Sequence, residues 1–194
     1  MTDVQPAAPA DETPPGSPRM SKATRNLIEW AAIVLVALLA AFLVKTFLFQ
    51  PFYIPSGSME HTLEIDDRVL VNKLSYKLHD VNRGDIVVFK RPTSSVASTI
   101  KDLIKRVVAL PGETVEGRAD GLYVDGEKLP EPYLPKDAVT GTFGPVTLDD
   151  EEVFVMGDNR SFSQDSRVFG PIDQGLIEGR AFFRFWPLSE ISTL

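Results

Sequence analysis

The sequence predicts a mainly β fold, a single antiparallel β-rich domain behind one N-terminal transmembrane helix. The chain has 194 residues, with one long apolar run over 27–49 and then short apolar runs separated by turn dipeptides. It has no cysteine, which excludes disulfides, thiolate zinc sites and a cysteine nucleophile. The net charge of −7 falls on the residues after Gln50. It argues against nucleic acid as a partner, because phosphate binding needs a clustered basic surface.

Residues 1–26 are predicted to form a disordered tail. Five prolines fall within the first eighteen residues, and almost no large apolar side chain accompanies them. Such a segment cannot bury enough surface to offset the entropy that it would lose on ordering.

The apolar run over 27–49 is predicted to be an uncleaved membrane span. Twenty-three helical residues reach roughly 35 Å, which exceeds a hydrocarbon core of about 30 Å. A cleaved signal peptide is disfavoured, because a long tail precedes the run and no small-x-small site follows it. A buried core helix stays open as an alternative. Arg19, Lys22 and Arg25 in front of the run, against Lys45 alone behind it, predict a cytoplasmic tail and an extracytoplasmic body.

The body, 50–194, is predicted to be one antiparallel domain. Its candidate strands are 67–72, 85–89, 103–110, 122–124, 152–156 and 180–186, and turn dipeptides such as Asp125-Gly126 bound them. The stretch from Val115 to Leu148 is rich in proline and glycine, so we expect a loop-bearing insertion there.

Histidine chemistry is disfavoured. Only His61 and His79 are present, and His61 lies three residues after Ser58 in one short segment, a poor arrangement for an imidazole that must face the hydroxyl. No spacing of histidines and carboxylates suggests a zinc site, so no metal is expected.

A lysine is the alternative base for a serine nucleophile, provided that its amine is neutral. A lysine titrates near 10.4 in water and needs about 7–8 to act at neutral pH, a change that burial in an apolar pocket supplies. Lys105 lies within an apolar run, 103–110, so it is the candidate, and Arg106 should face the opposite side of the strand. The alternative is an edge-strand lysine that points to water.

Two serines flank a glycine in the segment Ile54-Pro-Ser-Gly-Ser-Met59. Glycine permits the close backbone approach that an exposed nucleophile needs, and a second hydroxyl can help a backbone N–H to hold an oxyanion. An ordinary serine turn after a membrane helix is the alternative.

Taken together, three blocks of the chain resemble the bacterial type I signal peptidases, membrane-bound serine proteases with a Ser/Lys dyad. The blocks are Phe52-Tyr-Ile-Pro-Ser-Gly-Ser-Met59 with Thr62-Leu63; Gly84-Asp-Ile-Val-Val-Phe89 with Ile104-Lys-Arg-Val-Val-Ala-Leu-Pro-Gly112; and Gly157-Asp-Asn-Arg160 with Ser163, Asp165-Ser-Arg167 and Gly170. The resemblance implies the β fold that these enzymes share with self-cleaving repressors, and it covers the chain from about residue 27.

The resemblance also implies roles for individual residues. Ser58 would be the nucleophile and Lys105 the general base, with an oxyanion hole made by the Ser58 backbone N–H and the Ser56 hydroxyl. Ser163 would orient the Lys105 amine. A structural charged scaffold of Arg106, Asp158, Asp165 and Arg167 would surround the site, and substrate pockets would be lined by Ile54, Pro55, Met59, Leu63 and Ile104.

The chain departs from the family pattern at three places. Glu60-His61 occupies the approach to Thr62, where a proline is common; Ala109 replaces a usual glycine; and the third block reads Arg160-Ser-Phe-Ser163. Because Phe162 precedes Ser163, the sequence does not predict the local geometry around Ser163.

The resemblance implies a function and a location. The function would be cleavage of signal peptides from exported preproteins at the outer face of the cytoplasmic membrane, without a cofactor. The partners would be those signal peptides and the lipid bilayer. Another Ser/Lys protease, or a membrane-anchored binding protein without activity, are the alternatives.

Overall fold

The structure is a computed structural model that describes residues 21–43, 48–93 and 100–194. The predicted tail over 1–20 and the predicted end of the span over 44–47 lie outside the described residues.

Helix α1 runs over Lys22–Leu43. It is capped where Ser21 Oγ accepts the Thr24 N–H at 3.1 Å, a bond that satisfies one of the free donors of the first turn. The prediction that 22–26 belong to a disordered tail is therefore wrong, because this cap starts the helix before the apolar run. By length and composition, 21 residues of the helix, Lys22–Phe42, are apolar enough to cross a membrane, with a mean hydropathy of 1.8.

The predicted span also extends too far at its other end, because Phe49 belongs to strand β1, Phe49–Tyr53. This strand contains Pro51, which lacks the N–H that a central strand needs. Among the described strands, β1 lies at the edge of its sheet and pairs with β2 alone, so the missing donor is tolerated there.

The remaining strands are β2 (Arg68–Asn72), β3 (Ile86–Lys90), β4 (Asp102–Ala109), β5 (Thr114–Arg118), β6 (Gly121–Val124), β7 (Glu127–Lys128), β8 (Phe143–Thr147), β9 (Glu152–Met156), β10 (Ile172–Asp173), β11 (Ile177–Trp186) and β12 (Ser192–Thr193). Two short helices, α2 (Ser75–Leu78) and α3 (Ser166–Phe169), lie between them. The main sheet has the order β1-β2-β11-β3-β4-β9-β10, with β12 paired to β11, and every pairing is antiparallel. The predicted mainly β, antiparallel fold is confirmed.

The stretch from Val115 to Leu148 is more ordered than expected. It does carry a loop, 129–142, but it also contributes to a second antiparallel sheet of order β7-β6-β5-β8. Alternate residues of this sheet, including Val115, Leu122 and Val124, are buried against Phe154 of β9. The sheet forms because this alternation gives it one apolar face, which the proline and glycine content of the stretch obscures.

One of the three apolar clusters of the core supports the candidate site. It packs Ile54, Met59 and Leu63, which flank Ser58 in sequence, against Val69 and Val71 of β2. The segment that carries the two serines is thus fixed from below by fully buried side chains.

Candidate active site

Lys105 comes from the centre of the main sheet. Strand β4 is paired on both sides, with β3 and with β9, so a side chain on it can be enclosed. Lys105 is only 3% exposed. Its Nζ atom donates to Ser58 Oγ at 2.6 Å and to the Ile104 carbonyl at 2.8 Å. The edge-strand alternative, in which this lysine points to water, is excluded.

The surroundings of Lys105 favour its neutral form. Burial lowers the pKa of this amine to about 8, since water no longer stabilises the charge. The carboxylates of Asp165 and Asp158 act in the opposite direction, and the positive charge of Arg91 lowers the pKa further. Burial has the largest effect, so about a tenth of the amine is free base at pH 7 and about half at pH 8.

Ser58 lies in a short 3-10 turn, Gly57–Met59, and three residues separate this turn from the end of β1. Its hydroxyl accepts the Lys105 bond, while its carbonyl accepts the backbone N–H of Asn159 at 3.2 Å. Gly157 lies two residues before Asn159, and its backbone passes very close to Ser58. A Cβ on Gly157 would overlap the Ser58 carbonyl oxygen and the Ser163 hydroxyl. Glycine is therefore required at 157 for the third block to reach the serine turn.

The first ion pair of the charged scaffold joins Arg106 to Asp158. The guanidinium donates to Asp158 through Nε at 2.9 Å and Nη2 at 2.7 Å, and Nη1 reaches the Gly84 carbonyl at 2.8 Å. Thr62 Oγ1 donates to the same carboxylate at 2.5 Å. The Asp158 side chain is fully buried and its charge is balanced within this group.

The second ion pair joins Arg167 Nη2 to Asp165 Oδ2 at 2.8 Å, and both residues belong to the third block. Burial disfavours the charged form of Asp165, but hydrogen bonds from Arg167 and the Gly157 N–H hold the pKa of this carboxyl below its usual range. Arg167 also donates to the carbonyls of Thr140 and Arg160, each at 2.8 Å. These contacts fix the turn between β9 and α3.

Ser163 does not make the bond expected of it. Its Oγ atom is buried, but it has no hydrogen-bond partner among the described residues, and the Lys105 amine bonds to Ser58 and Ile104 instead. The hydroxyl lies beside Gly157, where a Cβ on that glycine would overlap it. Ser163 does line the same cleft as Ser58 and Lys105.

Most residues expected to line substrate pockets are core residues here. Ile54 is 1% exposed, Met59 and Leu63 are 0% exposed, and Ile104 is 8% exposed. Their apolar character makes them pack against β2 and β3, which leaves them almost no surface for a ligand. Pro55 is exposed. These residues are almost wholly enclosed without a bound substrate, so a lining role for Ile54, Met59 and Leu63 stays a prediction.

The walls of the cleft come mainly from elsewhere. The cleft encloses about 580 Å³, and its lining consists of Ser56, Ser58, Arg91, Ile100, Leu103, Lys105, Ser161, Phe162, Ser163 and Gln164. Ser56, the proposed second oxyanion donor, is half-buried in this lining. Of the described lining residues, Arg91 and Lys105 are basic and none is acidic.

Sequence reasoning missed the contribution of the second sheet and its connections. Arg160 is 4% exposed and pairs with Glu131 through Nη2 at 2.5 Å, while its Nη1 donates to Thr140 Oγ1 at 2.8 Å. Tyr133 covers the Arg106 guanidinium, whose centre lies 4.0 Å from the ring centroid. Nothing in the sequence distinguishes Glu131 from the many other acidic residues. The only signal was Arg160 within the third block, because a buried arginine needs an acidic partner.

A buried amine bonded to a serine hydroxyl, beside a cleft open to solvent, is the arrangement that a serine peptidase with an amine base requires. Comparison with known proteins gives the same class. The family described as signal peptidase, peptidase S26, matches residues 27–186.

Several relatives cover most of the chain. A probable signal peptidase I-2 of Synechocystis is 39% identical over 168 residues, which are 86% of this chain and 77% of that protein. Signal peptidase I T of Bacillus subtilis is 38% identical over 88% of this chain and 91% of its own. Signal peptidase IB of Staphylococcus aureus is 39% identical over 86% of this chain and 93% of its own.

A solved signal peptidase I from Enterococcus faecalis is 33% identical and covers 53% of this chain and 97% of its own, with a TM-score of 0.44. The matched family and the curated relatives together establish that the chain belongs to the signal peptidase family, peptidase S26. It is a serine peptidase of the signal peptidase I type.

Proposed function

We propose that the protein cleaves signal peptides from exported preproteins, with Ser58 as the nucleophile and Lys105 as the general base. The observation that carries this proposal is the 2.6 Å hydrogen bond between Lys105 Nζ and Ser58 Oγ, made by a lysine that is almost wholly enclosed. A serine hydroxyl is a weak nucleophile until a neighbouring base takes its proton. The amine is in hydrogen-bond reach, and burial keeps its pKa near 8.

The reaction is acyl transfer in two steps. The Ser58 hydroxyl attacks the scissile carbonyl carbon as its proton passes to the neutral Lys105 amine. The resulting ammonium then gives that proton to the leaving amine, which departs with the mature chain. In the second step Lys105 takes a proton from water, the hydroxide attacks the ester carbon, and Ser58 recovers its proton as the ester bond breaks.

The negative charge of each tetrahedral intermediate needs donors that are already in position. We assign this role to the Ser58 backbone N–H and the Ser56 hydroxyl. The turn that holds both serines is bound to the core below and to Asn159 beside it, which supports a fixed geometry. Arg106, Asp158, Asp165 and Arg167 act as a charged scaffold rather than as reactants, since each is occupied by an ion pair.

We further propose that the protein is anchored in the cytoplasmic membrane by its N-terminal helix, with its N-terminus in the cytoplasm and the catalytic domain, 50–194, outside. The length and composition of α1 support a single span. The positive charges of Arg19, Lys22 and Arg25 in front of the apolar run support this direction. A signal peptide carries its own apolar segment before a small-residue cleavage site, so enzyme and substrate meet at one membrane face.

The test uses the full chain in detergent or lipid vesicles, with a preprotein that carries a small-x-small site. Ser58→Ala and Lys105→Ala should each lower processing by at least about a thousandfold, as expected when a nucleophile or its base is lost. Lys90→Ala is the matched control, because Lys90 lies on the neighbouring strand β3 and is exposed. Near-normal turnover by Lys105→Ala would reject the amine base, and near-normal turnover by Ser58→Ala would reject the nucleophile.

A further inference from the structure

Phe162 is an exposed aromatic residue in an otherwise well-packed region. Its side chain is 70% exposed, although it follows the buried Arg160 in a short 3-10 turn, Arg160–Phe162. The turn is held in place, because the Phe162 N–H donates to the Asn159 carbonyl at 3.0 Å and Arg160 is bound to Glu131. Phe162 is thus presented to solvent on a fixed backbone.

The ring borders the cleft that contains Ser58 and Lys105. Ile100 and Leu103 line the same cleft, so its exposed lining is more apolar than polar. An apolar group of a ligand binds favourably to an apolar surface next to reactive groups, because binding removes both apolar surfaces from water. The positive charge of Arg91 in the lining disfavours a basic side chain at the same place.

We infer that Phe162, Ile100 and Leu103 form a specificity wall that receives a bulky apolar side chain of the substrate next to the cleaved bond. This inference rests on the proposed function, because the occupant is the peptide that Ser58 attacks. Successive side chains of an extended peptide point to opposite sides. The wall therefore contacts one substrate residue near the scissile bond, while the small residues of the cleavage site point away from it. Phe162 acts here on substrate choice and takes no part in proton transfer.

The experiment measures kcat/KM of the full chain in detergent for peptides of equal length. Leucine or serine is placed in turn at each position within three residues of the cleaved bond. At one of these positions leucine should exceed serine by about tenfold in the native protein, the lower end of what an apolar pocket gives for a single methylene group. Phe162→Ala should reduce this ratio below about threefold, mainly through KM, while Phe162→Tyr should retain it. Val168→Ala is the matched control, since Val168 is also exposed but does not line the cleft.

A second measurement removes the dependence on turnover. Binding of the leucine and serine peptides to Ser58→Ala, with and without Phe162→Ala, should show the same loss of discrimination. An unchanged leucine-to-serine ratio in Phe162→Ala, in either measurement, overturns the inference while leaving the proposed function intact. Failure of the native protein to cleave any of the peptides in a Ser58-dependent way counts against the proposed function itself.

Discussion

The backbone N–H of Asn159 donates to the Ser58 carbonyl at 3.2 Å, so the turn after β9 is bonded directly to the candidate nucleophile. The Asn159 side-chain amide adds two bonds, to the Gly57 carbonyl at 3.0 Å and to the Glu60 carboxylate at 2.7 Å. A Cβ on Gly57 would overlap that carboxylate, so a larger residue there would displace the Glu60 side chain from its bond to Asn159. These bonds fix the serine turn from the side, as the core fixes it from below.

The first prediction concerns this clamp. Asn159→Ala should lower kcat about tenfold with little change in KM, which corresponds to about 1.4 kcal/mol of transition-state stabilisation. The reason is that a looser turn moves the Ser58 N–H away from the position of the oxyanion. Glu60→Gln keeps an acceptor for the amide and should stay within about twofold of the native rate. Steady-state kinetics on a small-x-small peptide provide the measurement, and a change confined to KM would contradict the clamp.

The second prediction is a pH profile. In the proposed mechanism only the neutral amine of Lys105 accepts the serine proton, so kcat/KM should rise with pH and level off above a midpoint near pH 8. The measurement is the initial rate at low substrate concentration between pH 6 and 10. A profile that is flat over this range would rule out an amine base with this pKa.

Arg91 provides a matched test of the same cause. Its positive charge lowers the pKa of Lys105, so Arg91→Gln should move the midpoint of the profile to higher pH. Lys90→Gln removes a positive charge from the adjacent, exposed residue and should leave the midpoint in place. A shift of the midpoint to lower pH in Arg91→Gln is the opposite of what charge repulsion requires.

The sequence predicted several strands of the main sheet and singled out Ser58 and Lys105 as candidates. The candidate strands 85–89, 103–110 and 152–156 agree with β3, β4 and β9 within a residue, because each combines a short apolar run with turn signals at its ends. Lys105 stood out for the same reason: a lysine within an apolar run is either exposed at an edge or buried. Only the pairing of β4 on both sides decides between these.

The sequence was not sufficient where long-range packing decides. Ile54, Met59 and Leu63 are apolar residues next to a reactive serine, and an apolar residue in that place can line a pocket or fill the core equally well. The Glu131–Arg160 ion pair joins the loop after β7 to the third block. No periodic pattern in the sequence predicts such a long-range pair. The start of α1 was missed because Ser21 caps a polar first turn.

The third prediction is that Lys105 destabilises the fold. Its pKa is about 8 in the folded protein against 10.5 in the unfolded chain, so the unfolded chain binds more protons between these values and stability rises with pH there. Below pH 8 the full penalty applies, about 3 kcal/mol. Lys105→Met should therefore raise the free energy of unfolding at pH 7 and lose this advantage towards pH 10.5.

Urea unfolding of the protein in detergent at pH 7 and pH 10.5 measures this difference. Lys90→Met, at an exposed position, should show no such dependence on pH. If Lys105→Met is equally destabilised at both values, the lost hydrogen bonds outweigh the burial of charge, and the explanation for the low pKa is wrong.

The fourth prediction concerns the buried ion pair outside the reacting groups. The side chains of Arg160 and Glu131 are 1% and 9% exposed, so Glu131→Ala leaves a charge buried without its partner. Removing one member of such a pair costs about 3–5 kcal/mol, or roughly 10 °C in Tm for a domain of this size. Asp120→Ala breaks an exposed pair with Lys128 and should leave Tm unchanged. Equal Tm values for Glu131→Ala and the native protein would show that Arg160 finds another partner.

The fifth prediction is the direction in which α1 crosses the membrane. The chain has no cysteine, so single cysteines introduced as Thr2→Cys and Glu127→Cys report their side without background. A membrane-impermeant maleimide should label Glu127→Cys in intact spheroplasts, because Glu127 lies in an exposed hairpin of the body. It should label Thr2→Cys only after detergent is added. Replacing Arg19 and Lys22 together by glutamine leaves Arg25 in front against Lys45 behind, which removes the charge asymmetry and should give a mixture of both patterns. Labelling of Thr2→Cys alone in intact cells would put the candidate active site in the cytoplasm, where it could not meet an exported cleavage site.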